Sequence, residues 1–350
     1  MEEFFGSDHF ILSETTVSAS CPSNIALIKY WGKYAAQIPA NPSISYTLNK
    51  CRTNTELQFF PGEPFSVQTF LGETEEIKFA EKIAKYFSSI EMYLPWILKG
   101  RYIIRTENTF PHSSGIASSA SGFGALAKCL MNIEAQFSGQ RDEEFSLKKA
   151  SFLARLGSGS ASRSLYDGMV VWGTTEEVTG SSDLFAVPYN IDEIHSTFRR
   201  FNDWVLLIHE GEKSVSSTVG HNLMNTNPYA DRRFQEAHEN FAMLKGILKT
   251  GDMNGFIRLV EHEALTLHAM MMMSEPAFIL MKEGTLAVIN KIWKFRQETD
   301  LPLFFTLDAG ANVHLLFPSS LDEDKIKEFI VKELLQHTQN NGIVKDVIRF

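Results

Sequence analysis

Residues 110–126 read FPHSSGIASSASGFGAL. Serine, glycine and alanine crowd together, and helical spacing begins at once. Phe123, Leu126 and Leu130 share one side of a helix predicted over 117–133. Small residues let backbone N–H groups come close to a ligand, and the free N–H groups at a helix start attract phosphate. Ser113, Ser114, Ser118, Ser119 and Ser121 add hydroxyl donors. A serine-capped helix packed tightly on a neighbour would read the same way. The loop lacks the Gly-Lys-Ser/Thr ending of a Walker A motif.

Upstream of it, TNTELQFF (53–60) and RYIIRTENTF (101–110) alternate as strands, and EEIKFAEKIAKYFSSI (75–90) has helical spacing. Downstream, a strand is predicted at 164–173, a polar irregular stretch at 174–200 and a new strand at 204–211. The domain boundary falls in that polar stretch, giving 1–195 and 196–350. The second half reads as helices over 228–248, 252–273, 275–297 and 321–337, with two short strands around a glycine-containing turn at 301–318. Strands and helices follow one another without regular alternation, which indicates α+β rather than a doubly wound sheet.

The bulk numbers narrow the function. At 350 residues and 44% apolar the chain has enough material for a full core, and 21% charged residues argue against wholesale disorder. A net charge of −9 disfavours non-specific binding to nucleic acid or anionic membranes. It leaves room for an anionic substrate if cations are gathered locally. Cys21, Cys51 and Cys129 are widely spaced with no CxxC pair, which argues against a disulfide framework or a zinc site. The opening MEEFFGSDHF does not read as a signal peptide, and no apolar run approaches a membrane span. The expectation is a soluble cytoplasmic protein.

Three more stretches carry chemistry. CPSNIALIKYWGKYA (21–35) sets Lys29 and Lys33 among apolar and aromatic residues, with Tyr30 as a hydroxyl donor. That suits a pocket for several negative charges, or a surface strand with snorkelling lysines. RLGSGSASRSLYDG (155–168) puts Arg163 in a second Gly/Ser-rich run, and a guanidinium binds carboxylate or phosphate through two parallel bonds. FTLDAGANVHLL (305–316) ends an apolar run on Asp308, either a turn-former or a positioned base, with Asn312 available to orient it. Other patterns lead nowhere. EHEALTLH (261–268) resembles a zinc helix but has Thr266 where HExxH needs histidine, and His262 and His268 are six apart. AMMMMS (269–274) reads as core filler, and there is no GxSxG elbow for a serine hydrolase.

Taken together and in order, these stretches resemble the diphosphomevalonate decarboxylase family of the GHMP kinase superfamily. The matching segments are NIALIKYWGK (24–33), NPSISYTL (41–48), the loop at 110–123, GSGSASR (157–163), VSSTVGHNL (215–223) and FTLDAGAN (305–312). The resemblance implies an N-terminal nucleotide-binding lobe and a C-terminal ferredoxin-like lobe with a cleft between them. It implies ATP-dependent conversion of mevalonate 5-diphosphate to isopentenyl diphosphate, ADP, phosphate and carbon dioxide. By position, Asp308 resembles the catalytic aspartate, Arg163 the residue that engages the substrate carboxylate, and Lys29 the lysine beside the reacting centre. Tyr30, Trp31, Gly32 and Lys33 resemble one substrate-binding segment, and Ser158, Gly159, Ser160, Ala161, Ser162 and Arg163 another. Ser217 and Thr218 resemble a contact to the diphosphate end. Ser113, Ser114, Gly115, Ser118, Ser119 and Ser121, with Asn108 ahead of them, resemble the ATP-phosphate cradle. Magnesium is expected as the counter-ion of ATP, and a homodimer is the family expectation.

The chain departs from the family pattern at Tyr34-Ala35, where many members have Arg-Asp, at Ala311 for proline, and at His221 for methionine. For the arginine that many members place near the helix at 75–90, it offers Lys78 or Lys82. Rival readings are a decarboxylase of mevalonate 5-phosphate, a mevalonate 3-kinase that phosphorylates and stops, and a non-catalytic ligand sensor on the same scaffold. Carbon dioxide and ADP counts separate them.

Overall fold

The computed structural model describes residues 1–7, 10–111, 116–139, 142–211, 215, 217–319 and 322–349, with the side chains of Ala36 and Ser217 outside that description. The first half builds a seven-stranded sheet. Its strands, with two helices of the same half, are β1 (Thr15–Ile28), β4 (Ser43–Pro61), β5 (Ser66–Leu71), β6 (Thr74–Glu75), α1 (Ile77–Ser89), β7 (Gly100–Asn108), α2 (Ser118–Ser138), β8 (Met169–Trp172) and β9 (Val187–Pro188). The short pair β2 (Lys33–Tyr34) and β3 (Ile38–Pro39) stands apart between β1 and β4. Sheet order is β6-β5-β7-β4-β8-β9, with β1 along β4. The long β4 is the hub: Ser43 to Tyr46 pair with β8, and Thr53 to Pro61 pair with β7.

The second half builds a four-stranded antiparallel sheet in the order β11-β12-β10-β13, from β10 (Arg200–Leu206), β11 (Phe304–Thr306), β12 (Val313–Pro318) and β13 (Ile343–Arg349). Its helices are α4 (Ser217–Leu223), α5 (Ala230–Thr250), α6 (Met253–Met272), α7 (Glu283–Thr299) and α8 (Glu323–Phe329). Val288, Ile289 and Ile292 of α7 pack against Leu206, Phe305 and Leu315 of this sheet. The α+β class read from the sequence is the class observed.

The two halves share a core. Ile25, Leu27 and Ile28 of β1 belong to one buried cluster with Phe201, Phe241, Leu244, Phe256 and Phe304. That is why residues 21–28 are buried on both faces of β1 and do not alternate. The Asp346 carboxylate on β13 accepts from the amides of Lys50 (2.8 Å) and Cys51 (2.9 Å), tying the last strand to β4.

Several elements differ from the sequence reading. The helix expected over 275–297 starts at Glu283, where Thr285 Oγ1 accepts from the Lys282 amide at 3.1 Å and closes the N-terminus; Pro276 keeps only Glu275 from helical backbone. The strand expected at 164–173 shrinks to Met169–Trp172, since Gly159–Leu165 coil into a 3-10 turn that carries Arg163 inward. The expected helix over 321–337 keeps α form only over Glu323–Phe329 and continues as a π turn over Ile330–Leu334. A helix at Glu143–Gly157, α3, was not anticipated. It is capped by Asp142, which accepts from the Phe145 amide at 3.0 Å, a bond worth about 1 kcal/mol. Its inner face carries Lys149, Ser151 and Arg155, which break the apolar stripe; Lys149 is neutralised by Glu134 at 2.9 Å.

Candidate active site

β1 ends at Ile28, and the next five residues turn along the seam between the halves. The turn needs Gly32, whose φ of +107° is left-handed and whose Cβ position is already filled by the Phe234 ring at 2.5 Å. A second close approach occurs at Gly159, where a Cβ would meet Trp172 at 2.7 Å and the Tyr30 hydroxyl at 2.9 Å. These two glycines let the Lys29–Lys33 turn and the Gly159–Leu165 coil face each other.

Between them lies a cavity of about 530 Å³. Lys29, Tyr30, Trp31, Lys33, Ser158, Gly159, Ser160, Arg163, Thr218, Asp308, Ser118 and Ser119 all line it. At its centre the Lys29 ammonium sits 3.3 Å from Asp308 Oδ1, with Lys29 buried and the Asp308 side chain 27% exposed. Burial pushes the Lys29 ammonium below the ordinary lysine range, while Asp308 and Glu263 support its charge and Arg163 opposes it. Arg163 is fully enclosed. It donates through Nη1 to Ser43 Oγ (2.6 Å) and through Nε to Ser45 Oγ (3.0 Å) and Asn24 Oδ1 (3.4 Å). Burial pulls it down to about 10, so it stays charged at neutral pH. Lys33, half-buried, donates to Gln37 Oε1 at 2.9 Å. The Tyr30 hydroxyl is buried and has no partner among the described residues.

Asp308 stands in the turn between β11 and β12, which hydrogen bonds hold at three points. His268 Nε2 contacts the Asp308 carbonyl at 3.2 Å, and Thr285 Oγ1 donates to the Ala311 carbonyl at 2.6 Å. Asn312 Oδ1 accepts from the His209 amide at 2.9 Å. The turn is therefore braced without a proline at 311.

A family description, the diphosphomevalonate decarboxylase-like N-terminal domain, matches residues 21–186, and another, the mevalonate 5-diphosphate decarboxylase C-terminal domain, matches residues 204–347. This chain belongs to the diphosphomevalonate decarboxylase family. A diphosphomevalonate decarboxylase of Ganoderma lucidum is 30% identical over 345 residues, covering 92% of this chain and 82% of that one. The mevalonate diphosphate decarboxylase of Staphylococcus aureus is 32% identical, with a TM-score of 0.81 over 97% of each chain. A solved complex of MDDEF with MVAPP, AMPPCP and magnesium is 25% identical, with a TM-score of 0.82, covering 96% of this chain and 98% of that one.

Not every residue carried over from the family pattern faces the cavity. Ser121 is fully buried and spends its hydroxyl on Thr53 Oγ1 at 2.6 Å, and Asn108 accepts from the same threonine at 2.7 Å. Both brace the floor under α2 and do not line the cavity. Ala161 and Ser162 are likewise buried in the 3-10 coil, with Ser162 Oγ donating to the Gly159 carbonyl at 2.9 Å. Ser113, Ser114 and Gly115, and the side chain of Ser217, lie outside the described residues. What remains of the cradle is the start of α2. Its N-cap, Ala117, is in the left-handed region at φ 41° and makes no side-chain cap, so the first turn directs bare amides toward the cavity that Ser118 and Ser119 line.

Among the lysines offered for the diphosphate grip, Lys82 lines the cavity, with its ammonium 5.1 Å from the centre of the Phe123 ring, and Lys78 does not. His221 takes the Gly32 amide on Nδ1 at 3.0 Å and packs on the rings of Tyr30 (4.2 Å) and Trp31 (4.6 Å). Burial and Lys33 push it down to about 3, so it is a neutral ring with its proton on Nε2. Sequence reading missed Glu263, Arg233 and Asn240, which surround the Lys29 backbone. It also set His268 aside with a failed zinc pattern, since no local signal ties a helix residue to a turn forty positions on.

Proposed function

We propose that this chain converts mevalonate 5-diphosphate and ATP to isopentenyl diphosphate, ADP, phosphate and carbon dioxide. The observation that carries the reading is the Lys29–Asp308 pair at 3.3 Å, in one cavity with Arg163 and the start of α2. The substrate holds a carboxylate, a tertiary C3 hydroxyl and a diphosphate. Carbon dioxide leaves only once the hydroxyl has become a good leaving group.

Asp308 takes the C3 hydroxyl proton as the oxygen attacks the γ-phosphorus of ATP and ADP departs. The C3–O bond then breaks, phosphate leaves with its electron pair, and positive charge develops at C3. The C–C bond to the carboxylate supplies the electrons of the new double bond, and carbon dioxide is released. Arg163 holds the carboxylate until that point, and its fixed guanidinium keeps the C–C bond to the carboxylate aligned with the breaking C3–O bond. Lys29 stabilises the charge on Asp308 and on the transferring phosphoryl group. Tyr30, Lys33 and Thr218 take the diphosphate end, with Ser217 as a further contact. The α2 amides with Ser118 and Ser119 take the ATP phosphates, and Ser113, Ser114 and Gly115 complete that cradle.

Among the described residues no group of three or more His, Cys, Asp or Glu could hold a metal. Magnesium carried chiefly by phosphate oxygens would find suitable oxygen donors in the Ser118 and Ser119 hydroxyls, which line the cavity. Magnesium supplies charge neutralisation on the phosphates when bound.

The reading extends to organisation. The lobes are 1–195 and 196–350, supported by the end of the first sheet at Pro188 and the start of the second at Arg200. The protein is a cytoplasmic homodimer by family resemblance, and no helix of the described residues is long and apolar enough to cross a membrane.

The decisive assay is carbon dioxide release from mevalonate 5-diphosphate, with and without ATP and magnesium, counting ADP. One carbon dioxide per ADP, strictly dependent on ATP, is the expected result. ADP without carbon dioxide would mean a kinase. Neither product would move the assay to mevalonate 5-phosphate, and binding with no turnover on either would mean a sensor. Lys33→Met is expected to raise KM for mevalonate 5-diphosphate about tenfold, the loss of about 1.4 kcal/mol from one partly solvated charged hydrogen bond, with kcat nearly unchanged. An unchanged KM in steady-state kinetics would remove Lys33 from the diphosphate site.

A further inference from the structure

Lys29 leaves the β1 ladder at the point where it enters the cavity, so its own peptide groups need other partners in a buried place. They find them across the seam. The Lys29 N–H donates to Glu263 Oε2 of α6 at 2.8 Å. The Lys29 carbonyl accepts from Arg233 Nη2 of α5 at 3.3 Å and from Asn41 Nδ2 at 3.0 Å. Arg233 in turn grips both oxygens of Glu263, at 2.9 and 2.5 Å, and Asn240 Nδ2 donates to Glu263 Oε1 at 2.6 Å. Glu263 is 0% exposed and Arg233 1%.

A buried ion pair of this kind is a poor device for stability alone, because well-packed apolar residues of similar volume serve as well or better. Apolar residues could not hold the Lys29 peptide. We propose that Glu263, braced by Arg233 and Asn240, is a positioning residue that fixes the Lys29 backbone from the C-terminal half and so sets its ammonium against Asp308. The inference rests on the decarboxylase reading for the role of Lys29, and on the hydrogen bonds alone for the clamp. The carboxylate also supports the Lys29 charge. Among the described residues Asp308 and Glu263 favour that ammonium and Arg163 opposes it, and Arg233 of α5 stands as a further buried cation at the Lys29 carbonyl.

The test is Glu263→Gln, which keeps the shape and removes the charge. Protein labelled with [13Cε]lysine, with the Lys29 resonance assigned through Lys29→Arg, reports the Lys29 titration by NMR. Because Glu263 favours the ammonium, its loss is expected to move that titration to lower pH. The alkaline limb of the pH–rate profile should move the same way. We expect kcat to fall about 10²-fold, as for a misplaced reacting group, with KM for ATP within about twofold. Loss of the carboxylate charge moves the titration by itself, so Asn240→Leu, which keeps both charges, is titrated alongside: a loosened clamp moves the Lys29 titration there too, whereas a purely structural role lowers stability and leaves it where it was.

Arg233→Met/Glu263→Leu removes the charge pair together and covers the case in which the single variant does not fold. Asn240→Leu, which removes one donor and keeps both charges, covers failure of both, with several-fold loss of kcat expected. A folded variant with wild-type kcat and an unmoved Lys29 titration overturns the proposal. If the wild-type protein itself releases no carbon dioxide, the functional reading fails, and the Lys29 titration in Asn240→Leu, with both charges kept, still decides the clamp.

Discussion

Asp308→Asn is expected to lower ATP-dependent carbon dioxide release by about 10²–10⁴-fold, the usual contribution of a positioned general base. ADP formation should fall by the same factor, because phosphorylation of the C3 hydroxyl precedes loss of carbon dioxide. KM for ATP should change by no more than about twofold, since the proposed site for the nucleotide phosphates is the start of α2 and not this turn. The substitution isolates the base because the turn does not depend on the carboxylate. His268, Thr285 and Asn312 hold it through the Asp308 carbonyl, the Ala311 carbonyl and the His209 amide. Lys29, left buried with its nearest carboxylate neutralised, loses a group that favours its charge, so its already lowered titration should fall further. Single-turnover measurement of both products decides the matter. Near-wild-type turnover would mean that Asp308 is not the base. ADP at the wild-type rate without carbon dioxide would move Asp308 to the second step.

Arg163→Met is expected to raise KM for mevalonate 5-diphosphate about 10²-fold, the loss of about 2.7 kcal/mol from a charge-assisted contact to the carboxylate. Its guanidinium is held in advance by Ser43, Ser45 and Asn24, so little ordering remains when substrate arrives. Arg163→Lys should recover only part of the loss, because an ammonium has neither the fork nor the reach to Ser43 and Ser45 together. Stability should also drop, by about 1–3 kcal/mol, where the two buried serine hydroxyls lose their partner. Calorimetry on the apo protein separates that drop from the kinetic effect. Unchanged KM in a folded Arg163→Met would assign the carboxylate to another cation, with Lys29 the nearest candidate.

Much of this was legible in the chain. The opening loop, the YWGK turn, the Gly/Ser run around Arg163 and the DAG turn are each read from neighbouring residues. A left-handed glycine, a small residue under a helix start or a carboxylate at a strand end announces itself locally. The α+β class came the same way, from runs of strands and helices without regular alternation. So did the strands at β4 and β7 and the helices α1, α2, α5 and α6, in which enough apolar residues recur at the right spacing even where α5 buries Arg233 and α6 buries Glu263.

Two of the elements that escaped have polar inner faces. α3 buries Lys149, Ser151 and Arg155, and β13 buries Asp346, so the apolar periodicity that would reveal them is broken by groups satisfied only in three dimensions. The same reason explains the site. Linear spacing cannot distinguish a serine that lines the cavity from one that faces a threonine beneath it, so Ser118 and Ser121 read alike until Thr53 and Asn108 are in place. Glu263 sat inside a pattern dismissed for want of a histidine at 266, and its partner is a backbone amide 234 positions away.

The sequence by itself determined which chemistries were available: cations, one carboxylate at a strand end, and a Ser/Gly-rich helix start. Only the tertiary structure decided that Lys29 meets Asp308 at 3.3 Å and that two helices of the other half hold its backbone there. The physical reason is range. Turn and capping preferences act over a few residues and are written locally, whereas desolvation and hydrogen bonding between buried groups depend on which surfaces the whole core brings together.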